Sequence, residues 1–366
     1  MQEVVIITNI PAPYRVDLFH YIQKISSNYH FTIIYTSDNE DNRKWTVDYK
    51  KINDSIFLQA KILKIKKRYD YKYIHFPSNL GKELSKINPD IVIAFEYNPA
   101  ALLSLNWSKK NNKKFVHLTD GTINSEKNIN YIQKLCRKYI IKHADAFLAS
   151  STLSKEKIIS YGADSSKIFV SLLTVDINKY SFKREMLEPK EILYVGSLIQ
   201  RKGLDLLFDA LRHVHHPFHL SVIGDGIELD NLKKIVNTYN MSDSVTFYGF
   251  MEGKELQEKY KKSRFFVLPT REDCYGLVLL EAMCSSLPII CSKNADGAID
   301  LIKHGFSGYI VDPNNSIKMA AYIDELLINT ELVKTMSRES YEYSKEFSFD
   351  GVSKAYFEAL DYVYYR

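Results

Sequence analysis

The sequence predicts an α/β protein made of two doubly wound, parallel-sheet domains. Eleven short apolar runs alternate with segments of helical period along the chain, the pattern of parallel strands joined by crossover helices. Eleven strands are many for one open sheet, and 366 residues at about 150 per domain give two domains. Strand tips such as Val195-Gly196-Ser197 and Ile223-Gly224-Asp225-Gly226 carry small residues. Open α/β sheets bind their ligands at such carboxyl ends.

Composition narrows the function classes. The chain is 45% apolar and 25% charged, as soluble globular proteins are. A net charge of +5 suits an anionic partner such as a nucleotide diphosphate or an anionic lipid surface. With no nucleic-acid motif beside it, that charge is too weak to predict nucleic acid as a partner. Cys136, Cys274, Cys284 and Cys291 have no C-x-x-C spacing and read as reduced thiols. No apolar run reaches the roughly 20 residues of a membrane span. Met1-Gln2-Glu3 leads straight into the strand Val4–Ile7. Without a basic n-region this predicts no signal peptide and a cytoplasmic chain.

The first domain is expected over 1–174. Its first strand, Val4–Thr8, ends in Asn9-Ile10-Pro11-Ala12-Pro13-Tyr14-Arg15. The prolines stiffen this loop, and Arg15 opens the next helix on the ligand side, where it could reach a phosphate or an acceptor. The other reading is a surface arginine. Phe31–Tyr35 is the next strand. Residues 38–76 are the least regular part, with Trp45 and the basic, aromatic run Lys61–Tyr73. That run suits, first, a solvated edge strand guarded by lysines and, as the alternative, an anionic membrane surface.

The strand Ile91–Phe95 ends in Glu96-Tyr97-Asn98-Pro99, and Phe115–Leu118 ends in Thr119-Asp120-Gly121-Thr122. Both tips face the expected ligand edge. Asp120 reads as an exposed carboxylate at a tight turn, or simply as a turn residue. His117 reads as an acceptor contact or as an internal strand histidine. Lys127–His143 reads as an amphipathic helix with a basic face, a second candidate for a membrane surface. Ala146–Ala149 and Ser150-Ser151 follow at the ligand edge, and Ser171–Asp176 leads into the second domain.

The second domain is expected over 175–348. Glu191–Val195 ends in Gly196-Ser197, and Arg201-Lys202-Gly203 precedes a helix starting near Leu204. Paired cations there would stabilise the charge that develops on a leaving diphosphate. His219–Ile223 leads to Gly224-Asp225-Gly226. His213, His215, His216 and His219 lie on the far side from the ligand edge and read as loop residues. With no Asp-x-Asp after a strand either, no metal is expected. Val245–Tyr248 ends in Gly249-Phe250, suited to holding a base through backbone bonds and apolar contact. Phe265–Leu268 turns through Arg271-Glu272-Asp273-Cys274-Tyr275-Gly276 into a helix beginning near Leu277. Gly276 lets the backbone approach a ligand closely, and the helix offers N–H groups at its positive end. Asp273 and Glu281 frame that site and could each hold the hydroxyls of a sugar. Glu272 competes with Asp273 for the role. Ile289–Cys291 and Gly308–Val311 complete the strands, and the remainder is helical in period, ending in 349–366.

Asp273 and Glu281, with Gly276–Met283 between and after them and Leu287-Pro288-Ile289-Ile290 beyond, resemble the carboxylate-x7-Glu motif of retaining glycosyltransferases of family 4. Gly196-Ser197 with Arg201-Lys202-Gly203 resembles that family's diphosphate loop, and Gly224-Asp225-Gly226 its loop beside the nucleotide. Asp296–Ile302 and Gly305–Pro313 extend the likeness, which covers most of the chain and is strongest over 191–313. The chain departs from the family at Asp273, where many members have Glu. It departs again at Pro11–Arg15, where most carry glycines, so this loop must meet its ligand differently.

The resemblance implies the GT-B fold, two Rossmann-like domains with the donor in a central cleft and helix 349–366 packed back on the first domain. It implies metal-independent, cofactor-free, retaining transfer of a hexose or N-acetylhexosamine from a nucleotide-diphosphate sugar, with UDP expected. The acceptor would be a lipid-linked saccharide of bacterial O-antigen or capsule synthesis, on the inner face of the membrane. Carried onto this sequence, donor binding falls to Gly196, Ser197, Arg201, Lys202, Gly224, Gly249, Phe250, Asp273, Cys274, Tyr275, Gly276, Leu277 and Glu281. Catalysis falls to Asp120, Arg201, Lys202 and Asp273, and the acceptor side to Arg15, His117 and Asp120. Two other classes share such a fold, a nucleotide-sugar epimerase, which turns over donor alone, and an inert binding scaffold, which need not bind nucleotide.

Overall fold

Two parallel sheets organise the chain in the computed structural model, which describes residues 1–40, 45–66, 69, 71–182 and 190–365. One unit comprises Met1–Val175 with Phe349–Arg366, the other Asp176–Ser348.

The first unit runs β1 (Gln2–Thr8), α1 (Pro13–Ile25), β2 (Tyr29–Tyr35), β3 (Ser55–Phe57), β4 (Ala60–Lys66), β5 (Tyr71–Pro77), α2 (Leu80–Ile87), β6 (Ile91–Phe95), α3 (Pro99–Lys110), β7 (Lys114–Thr119), α4 (Tyr131–His143), β8 (Ala146–Ala149), α5 (Thr152–Ser160) and β9 (Ile168–Val170). Its seven-stranded sheet has the order β3-β2-β1-β6-β7-β8-β9, and every pair in it is parallel. The central strands are continuous apolar runs because both faces of the sheet are covered. Val4 and Ile6 face one core with Phe19, Phe31, Tyr356 and Leu360. Val5 and Ile7 face another with Leu84, Leu105 and Phe147. Pro13 opens α1 at a position where its missing N–H costs nothing.

The second unit runs β10 (Glu191–Val195), α6 (Leu204–Leu211), β11 (His219–Ile223), α7 (Leu229–Thr238), β12 (Val245–Gly249), α8 (Gly253–Lys262), β13 (Phe265–Leu268), α9 (Leu277–Cys284), β14 (Ile289–Ser292), α10 (Ala298–Leu301), β15 (Gly308–Val311), α11 (Ser316–Ile328) and α12 (Thr330–Ser344). Its sheet order is β12-β11-β10-β13-β14-β15, the 3-2-1-4-5-6 order of a doubly wound nucleotide-binding domain. Ile192, Tyr194, Phe208, Leu220 and Ile323 share its principal core. The last helix, α13 (Phe349–Tyr364), belongs to the first unit. There Ser171 Oγ donates to Val352 O at 2.9 Å and Tyr29 Oη to Asp361 Oδ1 at 2.5 Å.

All eleven expected strands form, and four more join them. β3 and β9 have three residues each, too few to show a period. β4 and β5 pair as an antiparallel hairpin within the stretch expected to be irregular. β4 alternates weakly because nearly all of it faces solvent, Leu63 being half exposed. Lys61–Lys66 and Tyr71–Tyr73 thus lie in a hairpin apart from the main sheet, while Lys67, Arg68 and Asp70 fall outside the described residues. His216 Nδ1 pairs with Asp324 at 2.8 Å and His219 Nδ1 with Glu191 at 2.8 Å. Among the described residues no group of three His, Cys, Asp or Glu side chains is arranged to hold a metal ion.

Candidate active site

In a doubly wound sheet, the crevice for a ligand opens where the strand order reverses, beyond the carboxyl ends of the two central strands. In the second unit those strands are β10 and β13. The loop after β10 forms one tight turn at Gln200–Lys202 and passes through Gly203 at φ +68°. A Cβ at Gly203 would stand 2.2 Å from Pro269 O, so only glycine lets this loop lie against the one after β13. The two loops are stitched together: Arg271 N and Thr270 Oγ1 donate to Arg201 O at 2.8 and 3.0 Å. Arg271 also grips Asp205 through both terminal nitrogens at 2.7 and 2.6 Å.

This stitching brings the predicted cations to the predicted carboxylate. Lys202 Nζ donates to Asp273 Oδ2. Arg201 Nη1 lies 3.9 Å from Asp273 Oδ1 and donates to Glu272 O at 3.1 Å. Burial alone would raise the Asp273 carboxyl, but Lys202 and Arg201 more than offset it and hold it below the usual carboxylate range. Of the two competing carboxylates, Asp273 has its side chain among the cations, while Glu272 contributes its backbone carbonyl. Gly276, at φ +83°, starts α9, and no side chain caps that helix. Its positive end carries the backbone of Gly276 and Leu277.

The other donor-side residues are distributed along the strand tips. Gly196 and exposed Ser197 follow β10, and Gly224 follows β11. Gly224 N donates to Gly249 O at 2.8 Å, which ties the tips of β11 and β12 together beside exposed Phe250. Cys274 is exposed. Tyr275 is buried, so its backbone rather than its ring is what a ligand could meet. Glu281 lies in the second turn of α9 and accepts a 2.8 Å hydrogen bond from Tyr260 Oη. Burial pushes its carboxyl up to about 7, against the pull of Tyr260 and Tyr180.

The first unit reverses its strand order between β1 and β6. A cavity of about 200 Å3 opens there, lined by Asn9, Arg15, Glu40, Trp45, Glu96 and Asp120 among others. Arg15 Nη2 pairs with Asp120 Oδ2 at 2.5 Å, Ser150 Oγ donates to Asp120 Oδ1 at 2.5 Å, and the guanidinium lies 4.0 Å from the Phe95 ring centroid. Two residues named for the acceptor side, Arg15 and Asp120, therefore meet. Burial works to lower the Arg15 pKa, and Asp120 and Tyr14 more than reverse it.

His117 does not join them. It is fully buried in β7, 4.4 Å from the Tyr97 ring centroid, and neither ring nitrogen has a hydrogen-bond partner in the protein. Burial, then the charges of Lys157 and Arg137, push its pKa down to about 3. With both faces of the sheet covered, this side chain lies in the core, where the internal strand reading of His117 has it, and not on the cavity with Arg15 and Asp120.

Sequence reasoning also missed charged residues. Glu96 directly follows β6, with φ +60°, and accepts from Asp120 N at 2.7 Å. A carboxylate directly after five buried residues of a central strand was the available signal. Glu126 is held by Arg137 at 2.6 Å through two bonds and by Lys157 at 2.5 Å. Arg137 and Lys157 are almost wholly buried, and nothing in a basic helical stretch distinguishes a buried cation from a solvated one.

Two protein-family models match the chain, "Glycosyl transferases group 1" over 176–343 and "Glycosyltransferase Family 4" over 29–179. Each half of the chain thus matches a glycosyltransferase domain model. The fold is GT-B, two Rossmann-like domains with parallel sheets. Among curated relatives, an uncharacterized glycosyltransferase of Methanocaldococcus jannaschii is 32% identical over 46% of this chain and 48% of its own. A lipopolysaccharide 1,6-galactosyltransferase of Salmonella typhimurium is 29% identical over 64% of this chain and 65% of its own. The chain spans about half the length of the first curated relatives it matches. Anabaena HepE, solved in complex with UDP and glucose, superimposes with a TM-score of 0.76 at 16% identity, covering 99% of this chain and 100% of that one.

Proposed function

We propose that this protein is a retaining glycosyltransferase that moves a hexose or N-acetylhexosamine from a nucleotide-diphosphate sugar to a lipid-linked saccharide in bacterial surface-polysaccharide synthesis. One observation carries the reading: Arg201 and Lys202 converge on Asp273 where the second unit reverses its strand order, with the uncapped α9 beginning at Leu277 just beyond it. A diphosphate there would meet two cations and a helix N-terminus. Asp273, freed from Lys202, would accept hydrogen bonds from the transferred sugar, and Glu281 from the ribose. Gly196, Ser197, Gly224, Gly249 and Phe250 would surround the nucleotide. UDP is supported by the complex of HepE with UDP and glucose. The acceptor class is supported by the Salmonella relative named for lipopolysaccharide.

In this reading the acceptor hydroxyl attacks the anomeric carbon from the face on which the diphosphate departs. The bond from that carbon to the phosphate oxygen breaks as the glycosidic bond forms. A phosphate oxygen of the leaving group takes the hydroxyl proton. Arg201 and Lys202 stabilise the charge left on the diphosphate, and Arg15 and Asp120 orient the acceptor. The protein needs no resident metal or cofactor for these steps.

The lipid end of the acceptor favours a place at the inner face of the membrane. No helix among the described residues is long and apolar enough to cross one. α4 and the loop before it expose Ile123, Tyr131, Ile132 and Leu135 beside Lys127, Lys134 and Lys138, a composition suited to anionic lipid. Flotation with anionic liposomes at low salt tests this, and a protein left in the aqueous fraction contradicts it.

A thermal-shift panel of nucleotide sugars, followed by transfer assays with a polyprenyl-diphosphate-linked saccharide, tests the enzyme. The expected results are stabilisation by UDP sugars and acceptor-dependent release of UDP. Interconversion of the donor without acceptor would make the protein an epimerase. Indifference to every nucleotide diphosphate would leave only a scaffold.

A further inference from the structure

The cavity of the first unit has a feature that the donor chemistry leaves unused. Glu96 directly follows β6, one of the two strands at the reversal of strand order, with a left-handed φ of +60°. Residues with a Cβ adopt that conformation uncommonly, and they concentrate where a function fixes them. The side chain is also held: Oε1 accepts from Asp120 N at 2.7 Å and Oε2 from Thr119 Oγ1 at 3.2 Å. Glu96 therefore sets the tip of β7 on which Asp120 stands, and it lines the same 200 Å3 cavity as Asp120 and Arg15.

The electrical character of this cavity is opposite to that of the diphosphate site. Among its described lining residues the cation is Arg15, and that cation is committed. Its Nη2 is on Asp120, its Nε donates to Tyr14 Oη at 3.0 Å, and its face covers Phe95. Glu40, Glu96 and Asp120 supply carboxylates. Burial and the charge of Asp120 raise the Glu96 carboxyl, whose two oxygens both accept hydrogen bonds from the tip of β7. Each of these properties suits hydroxyl groups and repels an anion.

We propose that Glu96 is the specificity-determining residue of this cavity, which takes the uncharged, hydroxylated end of the acceptor saccharide and rejects uronates and sugar phosphates. The proposal rests on the glycosyl-transfer reading for the role of the bound sugar, but its test does not need the donor. Binding of paired methyl glycosides, each hexoside with its 6-carboxylate counterpart, is measured by saturation-transfer NMR and competition on the whole chain. The wild type is expected to bind the preferred neutral glycoside at least tenfold more tightly than its uronate. Glu96→Gln is expected to reduce that ratio below threefold.

Glu96→Gly, which accepts the left-handed backbone but leaves Asp120 N and Thr119 Oγ1 without their partner, is expected to lose the discrimination at some loss of thermal stability. In transfer assays the loss should fall on the acceptor KM, with UDP affinity unchanged in both variants. A uronate bound as tightly as its neutral partner, an unchanged ratio in Glu96→Gln, or no glycoside binding would each overturn the proposal. Failure of the donor reading would show separately, as absence of UDP binding.

Discussion

The two units each reverse their strand order at the centre of the sheet and each place an ion pair there, yet the pairs differ in kind. In the second unit two cations, Arg201 and Lys202, come from one loop and share the carboxylate of Asp273. In the first, Arg15 is bound to Asp120 while Glu96 and Glu40 line the same cavity. One architecture thus gathers cations at one reversal of strand order and carboxylates at the other, the contrast on which the proposed diphosphate and hydroxyl ligands rest. Sheet topology fixes where a ligand binds, and the residues at the strand tips decide which ligand.

The sharpest way to break this contrast is to remove a cation from the second unit. Arg201→Ala should lower kcat by about 100- to 1,000-fold while the thermal midpoint changes little, since the loop keeps its bonds through Arg201 O and Arg271. Steady-state kinetics beside thermal unfolding would show this, and near-normal turnover would remove Arg201 from the mechanism. Gly203→Ala attacks the loop itself. A Cβ driven toward Pro269 O at φ +68° should cost about 2–3 kcal/mol of stability, read by denaturant unfolding, and should weaken UDP binding as well.

Glu281→Gln should weaken UDP binding by about tenfold. Its pH dependence carries more information. With the folded carboxyl near 7 rather than the usual 4.5, wild-type affinity for UDP should rise between pH 6 and 8 as Glu281 ionises, and the variant should lose that slope. The stability effect has the opposite sign. A carboxyl raised in the fold stabilises at low pH and loses that contribution as pH rises through about 7. Glu281→Gln should therefore raise the thermal midpoint at pH 8 more than at pH 5.

The smallest expected effect belongs to His117. Its folded pKa lies near 3, below the usual 6.5, so it contributes no penalty above pH 6.5 and an increasing one as pH falls from 6.5 toward 3. His117→Phe should change stability at pH 8 by less than about 1 kcal/mol, flatten the acid side of the pH–stability curve, and leave transfer intact. A large loss of transfer would return His117 to the acceptor side.

The second unit was the more legible of the two. Its site is made by residues close in sequence to strand tips, with Arg201-Lys202 and Asp273 each following a plain apolar run and glycines marking the turns. The first unit hides its chemistry in long-range pairing. Arg15 and Asp120 were legible as residues on the ligand edge, but their bond spans 105 positions, and no local pattern reports it. The burial of Arg137 and Lys157 depends on Glu126, which stands in an irregular loop. The left-handed turn at Glu96 leaves no mark where glycine or asparagine is absent. For His117 the sequence left two readings open, and strand pattern does not choose between them because the covered sheet buries both of its faces.

Whether the paired cations of the second unit hold a nucleotide diphosphate is decided by calorimetric titration of UDP into wild-type protein and Arg201→Ala/Lys202→Ala. The expected result is saturable binding to the wild type that weakens as salt rises and falls by about 100-fold or more in the double variant. Equal affinity in the two proteins, or no binding to the wild type, would contradict it.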